Sequence, residues 1–133
     1  MAELDYAFLA EFASIQPNGT LNVLNASYTS VTVPMLPGQH LLSIAGRVRA
    51  QEGEPPNQLT IRVRNAPVFE LAMEVPLADS SASRPYDGKV GRLFALTTLI
   101  PTPAAGLYEV LVELDGEQVR RLAFDVELQP QAR

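Results

Sequence analysis

The chain has 133 residues, 47% of them hydrophobic and 19% charged, the balance of one globular domain rather than of a disordered segment. It has no cysteine and a single histidine, His40, which excludes disulfides, thiolate metal sites and cysteine nucleophiles and leaves no histidine cluster for a metal or a proton relay. Fifteen acidic against ten basic residues give a net charge of −5, so the domain repels phosphate backbones and nucleic-acid binding is not expected.

Along the chain, Leu4, Phe8, Leu9, Phe12 and Ile15 also fit a helical stripe. Pro17-Asn18-Gly19 then turns into an evident strand, however, and a hairpin partner is the simplest element before it, so 4–15 is read as a strand. Residues 21–33 are rich in Val, Thr and Tyr and form one long strand, or two with a bulge near Asn25-Ala26. Residues 41–50 place Leu42, Ile44, Gly46 and Val48 on one face and Ser43, Ala45, Arg47 and Arg49 on the other.

After the stretch from Gln51 to Asn57, Leu59, Ile61 and Val63 alternate with Thr60, Arg62 and Arg64, and Phe69, Leu71, Met73 and Val75 with Glu70, Ala72 and Glu74. The segment 78–91 combines Ser, Gly, Asp and Pro and is expected to be a mobile loop dispensable for folding. Residues 92–100 are apolar on both faces, the pattern of a central, covered strand. Tyr108, Val110, Val112 and Leu114 then alternate with Glu109, Leu111 and Glu113; Asp115-Gly116 supplies a two-residue turn, and Leu122, Phe124, Val126 and Leu128 complete a hairpin.

About eight period-2 strands and no convincing helix cannot hide their apolar faces in one open sheet. The expected fold is a single all-β domain over 1–133, a two-sheet antiparallel immunoglobulin-like (Greek-key) sandwich. The Pro/Gly corner from Pro101 to Gly106, followed by Tyr108, resembles the tyrosine corner of that class, without the cysteines and core tryptophan of antibody domains. Tyr108 should therefore be buried with its hydroxyl tied to nearby backbone.

The opening from Leu4 through Asp5, Tyr6, Ala7, Phe8 and Leu9 to Glu11, followed by Asn18-Gly-Thr-Leu-Asn-Val-Leu-Asn-Ala26, resembles a family of short uncharacterised bacterial proteins. These begin this way and end with a Gly-x-Tyr strand, a turn and a final strand. The resemblance covers nearly the whole chain and implies the immunoglobulin-like sandwich. Asn25 stands where that family often has Gly, and Asn also tolerates positive φ. No activity, ligand or partner comes with the resemblance.

The acidic start carries no basic n-region and no apolar run approaches the ~20 residues of a membrane-crossing helix. A cytoplasmic protein without membrane contact is expected, in which the sequons at Asn18 and Asn25 carry no sugar. Nine of the ten basic residues are Arg, which reads mainly as the nucleotide composition of a GC-rich genome, with a thermophile as the alternative. His40 has no nucleophile elbow to serve and reads as a polar residue at a loop–strand junction. Asp79, Ser80, Ser81 and Asp87 match no calcium loop. Glu52 and Glu54 read as an exposed acidic tip.

The most specific polar feature is Arg47, Arg49, Arg62 and Arg64. If 41–50 and 59–64 pair through the 51–57 connection, four guanidinia cluster on one outward face as a candidate patch for an anion or acidic partner. The plainer alternative is a wet face balanced by Glu70 and Glu74. With so thin a catalytic inventory, the expected function is a non-enzymatic binding or assembly module acting through a sheet face, edge strand or loop. It would need no cofactor, and its partner would be a protein or a second copy of itself, since 4–15 and 92–100 carry few charges to protect an edge. The alternative is a ligand binder or enzyme whose site is not recognisable in sequence.

Overall fold

A computed structural model describes residues 2–130, and among them the chain forms nine strands and no helix. One sheet contains β1 (Glu3–Ile15), β2 (Leu21–Ala26), β4 (Gly38–Gln51) and β7 (Lys89–Thr102) in the order β2-β1-β4-β7. The other contains β3 (Ser30–Val33), β5 (Asn57–Asn65), β6 (Phe69–Leu77), β8 (Gly106–Leu114) and β9 (Glu117–Leu128) in the order β3-β9-β8-β5-β6. The all-β Greek-key sandwich follows from the alternation: Leu42, Ile44, Val48 and Phe94 of the first sheet pack against Leu59, Ile61, Val63, Val110 and Phe124 of the second.

Residues 4–15 are strand, as the hairpin argument requires. The 21–33 segment is two strands, and they lie in different sheets. Asn25 and Ser27 take positive φ (50° and 69°), and the chain crosses there from the edge of one sheet to the edge of the other. Because β3 arrives by that crossing and not by a hairpin, it runs parallel to β9, the one exception to the expected antiparallel pairing among the described strands.

Two further expectations need correction. Residues 92–100 are not in a central strand: β7 is the edge of its sheet. Its apolar outer face is covered in part, at Leu93 and Ala95, while Leu99 and its neighbour Leu41 on β4 stay exposed. β1 pairs with β4 only as far as Ala10, opposite Ser43, and with β2 from Ala10 onward. Beyond that point the β1–β2 hairpin folds back over the sheet and brings β1 against β7 although β4 lies between them. Ser43 Oγ reaches the Glu11 carbonyl at 3.5 Å, and Ala10, Ala13, Ser43 and Ala45 are buried beneath the fold. At the tip, Gly19 stands so close to Ala82 that a Cβ would lie 3.0 Å from the Ala82 Cβ.

The segment 78–91, in turn, is not a free loop but is tied to the fold. Its last residues belong to β7, Tyr86 and Lys89 exchange backbone hydrogen bonds (2.7 and 2.9 Å), Asp79 accepts from Arg92, and Ala82 meets the hairpin tip.

The corner behaves as its sequence suggests. Tyr108 is fully buried, its ring stacks 5.6 Å from Phe124, and its hydroxyl donates to the Ala104 carbonyl at 2.8 Å. Burial pushes its phenol up, so it stays a donor. Tyr108→Phe keeps the ring and removes one hydrogen bond, leaving a carbonyl short of its donor. The urea midpoint should fall by the equivalent of about 1 kcal/mol.

Candidate functional site

The four arginines do not form one patch. β4 and β5 lie in different sheets, so the 51–57 connection is a crossover and not a hairpin. Arg47 and Arg49 therefore stand on the outer face of one sheet, Arg62 and Arg64 on that of the other. Each is met by a carboxylate: Arg47 by Asp5, Arg49 by Glu3 at 2.9 Å, Arg62 by Glu113, and Arg64 by Glu109 at 3.0 Å. Arg121 shares Glu109 at 2.5 Å, and Arg121 and then Arg64 hold that carboxyl below its usual range. The partners lie on β1 and β8, not on β6 as Glu70 and Glu74 would have been. Pairs this exposed contribute little stability, and they consume the charge an anion would need.

The residue missed in the sequence is Arg92. It is 3% exposed, and its guanidinium donates to Asp79 Oδ1 (2.9 Å), the Pro55 carbonyl (2.9 Å), Asn57 Oδ1 (2.8 Å) and the Glu54 carbonyl (2.5 Å). Nor is Glu54 an idle tip: its carboxylate accepts from Asn57 Nδ2 (3.0 Å) and the Gln51 amide (3.2 Å), and the Asn57 amide holds its carboxyl below the usual value. Asp79 is thus engaged with an arginine, and among the described residues no three His, Asp or Glu groups gather as metal ligands.

His40 is a structural histidine. Its Nε2 lies 2.9 Å from Tyr28 Oη, and its ring packs 5.6 Å from Phe124. Burial pushes His40 below the usual imidazole value, while burial and then the Glu11 charge push Tyr28 up to about 12. Both groups therefore stay neutral, and the His40 tautomer sets which of them donates.

Two concavities accompany the fold. A groove of about 460 Å³ lies between the hairpin tip (Ile15, Leu21) and the sheet (Tyr6, Arg47, Leu93), and a hollow of about 190 Å³ lies beside the β5–β6 turn. Neither holds an acid, a base and a nucleophile in reach of one another.

One open edge is β6, which ends its sheet, as β2, β3 and β7 end theirs. It pairs with β5 from Asn57↔Leu77 to Asn65↔Phe69, and among the described residues no strand pairs along its other side. Phe69, Leu71, Met73 and Val75 face inward yet are only half-buried, while Glu70, Ala72 and Glu74 are exposed. Pro76, the only proline within the strand, belongs to the outward-facing set, as a residue without an N–H must on an edge.

The Greek-key order and the tyrosine corner define an immunoglobulin-like β-sandwich domain. The chain belongs to DUF6941, a family of unknown function whose model matches residues 5–127. No curated protein matches the sequence at a significant level.

Among solved structures it is similar to an immunoglobulin-like protein of Pseudomonas aeruginosa, with 13% identity and a TM-score of 0.44 over 96% of this chain and 97% of that one. It is also similar to part of the Pseudomonas fluorescens alkylpurine DNA glycosylase AlkC (10% identity, TM-score 0.44, 91% of this chain). A β-glucosidase from Listeria innocua matches 96% of this chain at 8% identity and a TM-score of 0.45. The chain spans 30% of the glycosylase and 16% of the glucosidase.

Two outcomes follow from this geometry. Asp79→Asn leaves the buried Arg92 with its carbonyl acceptors but without its carboxylate, and the unfolding free energy should fall by about 1–2 kcal/mol, the lower part of the range for charged hydrogen bonds because Asp79 is partly exposed. His40, whose folded pKa lies under the 6.5 of a free imidazole, contributes stability that is complete above that value. The contribution is lost as pH falls from 6.5 toward the folded pKa, where the unfolded chain binds the proton first. Urea midpoints measured from pH 7.5 to 5 should decline less steeply in His40→Gln than in the wild type.

Proposed function

We propose that the domain is a non-enzymatic binding or assembly module that docks an extended protein segment along the free edge of β6. The observation that carries this is the pairing of an unbonded strand edge with a half-buried apolar row beside it. Such an edge invites an added strand, with main-chain hydrogen bonds supplying affinity and alternate side chains supplying selectivity. The ion pairs of Arg47, Arg49, Arg62 and Arg64 and the buried bonds of Arg92 and His40 support the same reading, since they commit the polar inventory to the fold. A second copy is one form of partner. The apolar segments that suggested it, 4–15 and 92–100, partly cover one another where the hairpin lies over β4 and β7, which shifts the weight toward a foreign segment.

A photo-crosslinking amino acid at Ala72 tests this in the cell that makes the protein, with Gln118, exposed on β9, as the control position. Adducts should form from position 72 and not from 118. A doubled mass identifies a second copy, another mass a foreign partner, and no adduct at 72 sinks the edge as the docking site.

A further inference from the structure

We infer that the segment docked on β6 alternates apolar residues with Lys or Arg. The inference rests on the docking reading above and adds the partner's chemistry to it.

The pleat sets the alternation. Pro76 has no N–H to give β5, so its parity, shared by Glu70, Ala72 and Glu74, is the one whose backbone groups point to the open side. A strand added there continues the sheet at a spacing of ~4.8 Å. Every second side chain of that strand then extends the inner row of Phe69, Leu71, Met73 and Val75, which β5 and the core cover only in part. Apolar groups at those positions complete the burial of the row. The intervening side chains emerge on the outer face beside Glu70 and Glu74.

The charge on that outer face comes from how the arginines divide their donors. Arg64 lies directly across from Glu70, and Arg62 across from Ala72, between the two glutamates. Both arginines turn the other way, toward β8: Arg62 to Glu113 and Arg64 to Glu109. Among the described residues no ion pair of Glu70 or Glu74 is formed, and the two carboxylates stand along the open edge. Cross-strand neighbours on one face lie ~5 Å apart, within reach of a lysine or arginine on an added strand. In a pairing of two β6 strands, the antiparallel register centred on Ala72 sets Glu70 against the other copy's Glu74 at two places and is disfavoured, whereas a two-residue shift sets each glutamate against Ala72 or Pro76. At the Phe69 end, the hollow of about 190 Å³ between Arg64, Pro67 and Glu70 offers a seat for one large side chain.

The test uses the whole domain and two fluorescein-labelled peptides, Lys-Val-Lys-Ile-Lys-Val-Lys and Glu-Val-Glu-Ile-Glu-Val-Glu, with binding read by anisotropy and position by amide hydrogen exchange. The basic peptide should bind at least about tenfold more tightly at low salt, lose that advantage as salt is raised, and slow exchange at 70, 72 and 74. The double variant Glu70→Lys/Glu74→Lys should reverse the preference. Ala72→Pro should abolish binding of both peptides, its circular dichroism matching the wild type.

Equal affinities, or a preference that survives the double charge reversal, overturn the inference. Failure of the basic peptide to bind overturns it as well. Slowed exchange at 70, 72 and 74 with the acidic peptide alone overturns the stated chemistry while leaving β6 a docking edge. Protection confined to another strand overturns the docking reading itself.

Discussion

One end of the sandwich depends on the guanidinium of Arg92. It projects from the inner parity of β7 and is held by acceptors from both long crossovers, the Glu54 and Pro55 carbonyls of one and Asp79 of the other. Its fourth partner, Asn57 Oδ1, extends the network: Asn57 Nδ2 donates to Asp115 Oδ2 at 2.9 Å, and Asp115 Oδ1 accepts from the Gln58 amide at 2.8 Å. A chain of charged and amide groups thus runs from the β6–β7 crossover to the β8–β9 turn. A buried cation is tolerable only when its donors are satisfied, and the arrangement that satisfies this one also fixes where the chain passes between sheets. That requirement is why a stretch of Ser, Asp and Gly is ordered.

The other end is closed without charge. Tyr28, on the crossing from β2 to β3, meets His40 of β4 and packs edge-on 5.6 Å from Phe124 of β9, which stacks in turn on Tyr108. The Tyr108 hydroxyl then ties the β7–β8 corner through Ala104. Both ends of the barrel-like core are thereby occupied by side chains the fold needs, one polar and one aromatic.

Local features of this fold were legible in the sequence and long-range ones were not. Alternation and Asp115-Gly116, whose φ values of 51° and 87° suit a two-residue hairpin turn, specify β8 and β9 without reference to anything distant. Tyr108 could be read because the corner is a short motif. The pairing of β4 with β5 could not: seven residues with two prolines serve a hairpin or a crossover equally well, and the arginine cluster inherited that ambiguity. Arg92 did carry a signal, since it shares the inward parity of Phe94 and Ile100, and a charge on that face implies a buried partner. The edge proposed for docking carries glutamates on alternate positions of 69–75. They were assigned to the arginines of β5, and only the register shows those arginines turned toward β8.

The small residues of β1 and β4 explain how the β1–β2 hairpin comes to lie over part of the first sheet. Ala10, Ala13, Ser43 and Ala45 let the β1–β2 hairpin lie close over the first sheet, and Gly46 extends the same economy inward, where a Cβ would fall onto the Tyr6 carbonyl and the Phe94 ring. Larger side chains at these positions would lift the hairpin and open apolar surface over β4 and β7. By folding on itself, the chain covers part of that face, while Phe12, Leu24, Leu41 and Leu99 stay exposed on the first sheet. The second sheet has no such cover: its outer face is laced with Arg–Glu pairs as far as β5, and the lacing stops one strand short of the edge. The unpaired carboxylates and the unpaired backbone therefore coincide on β6, where an incoming strand can satisfy both at once.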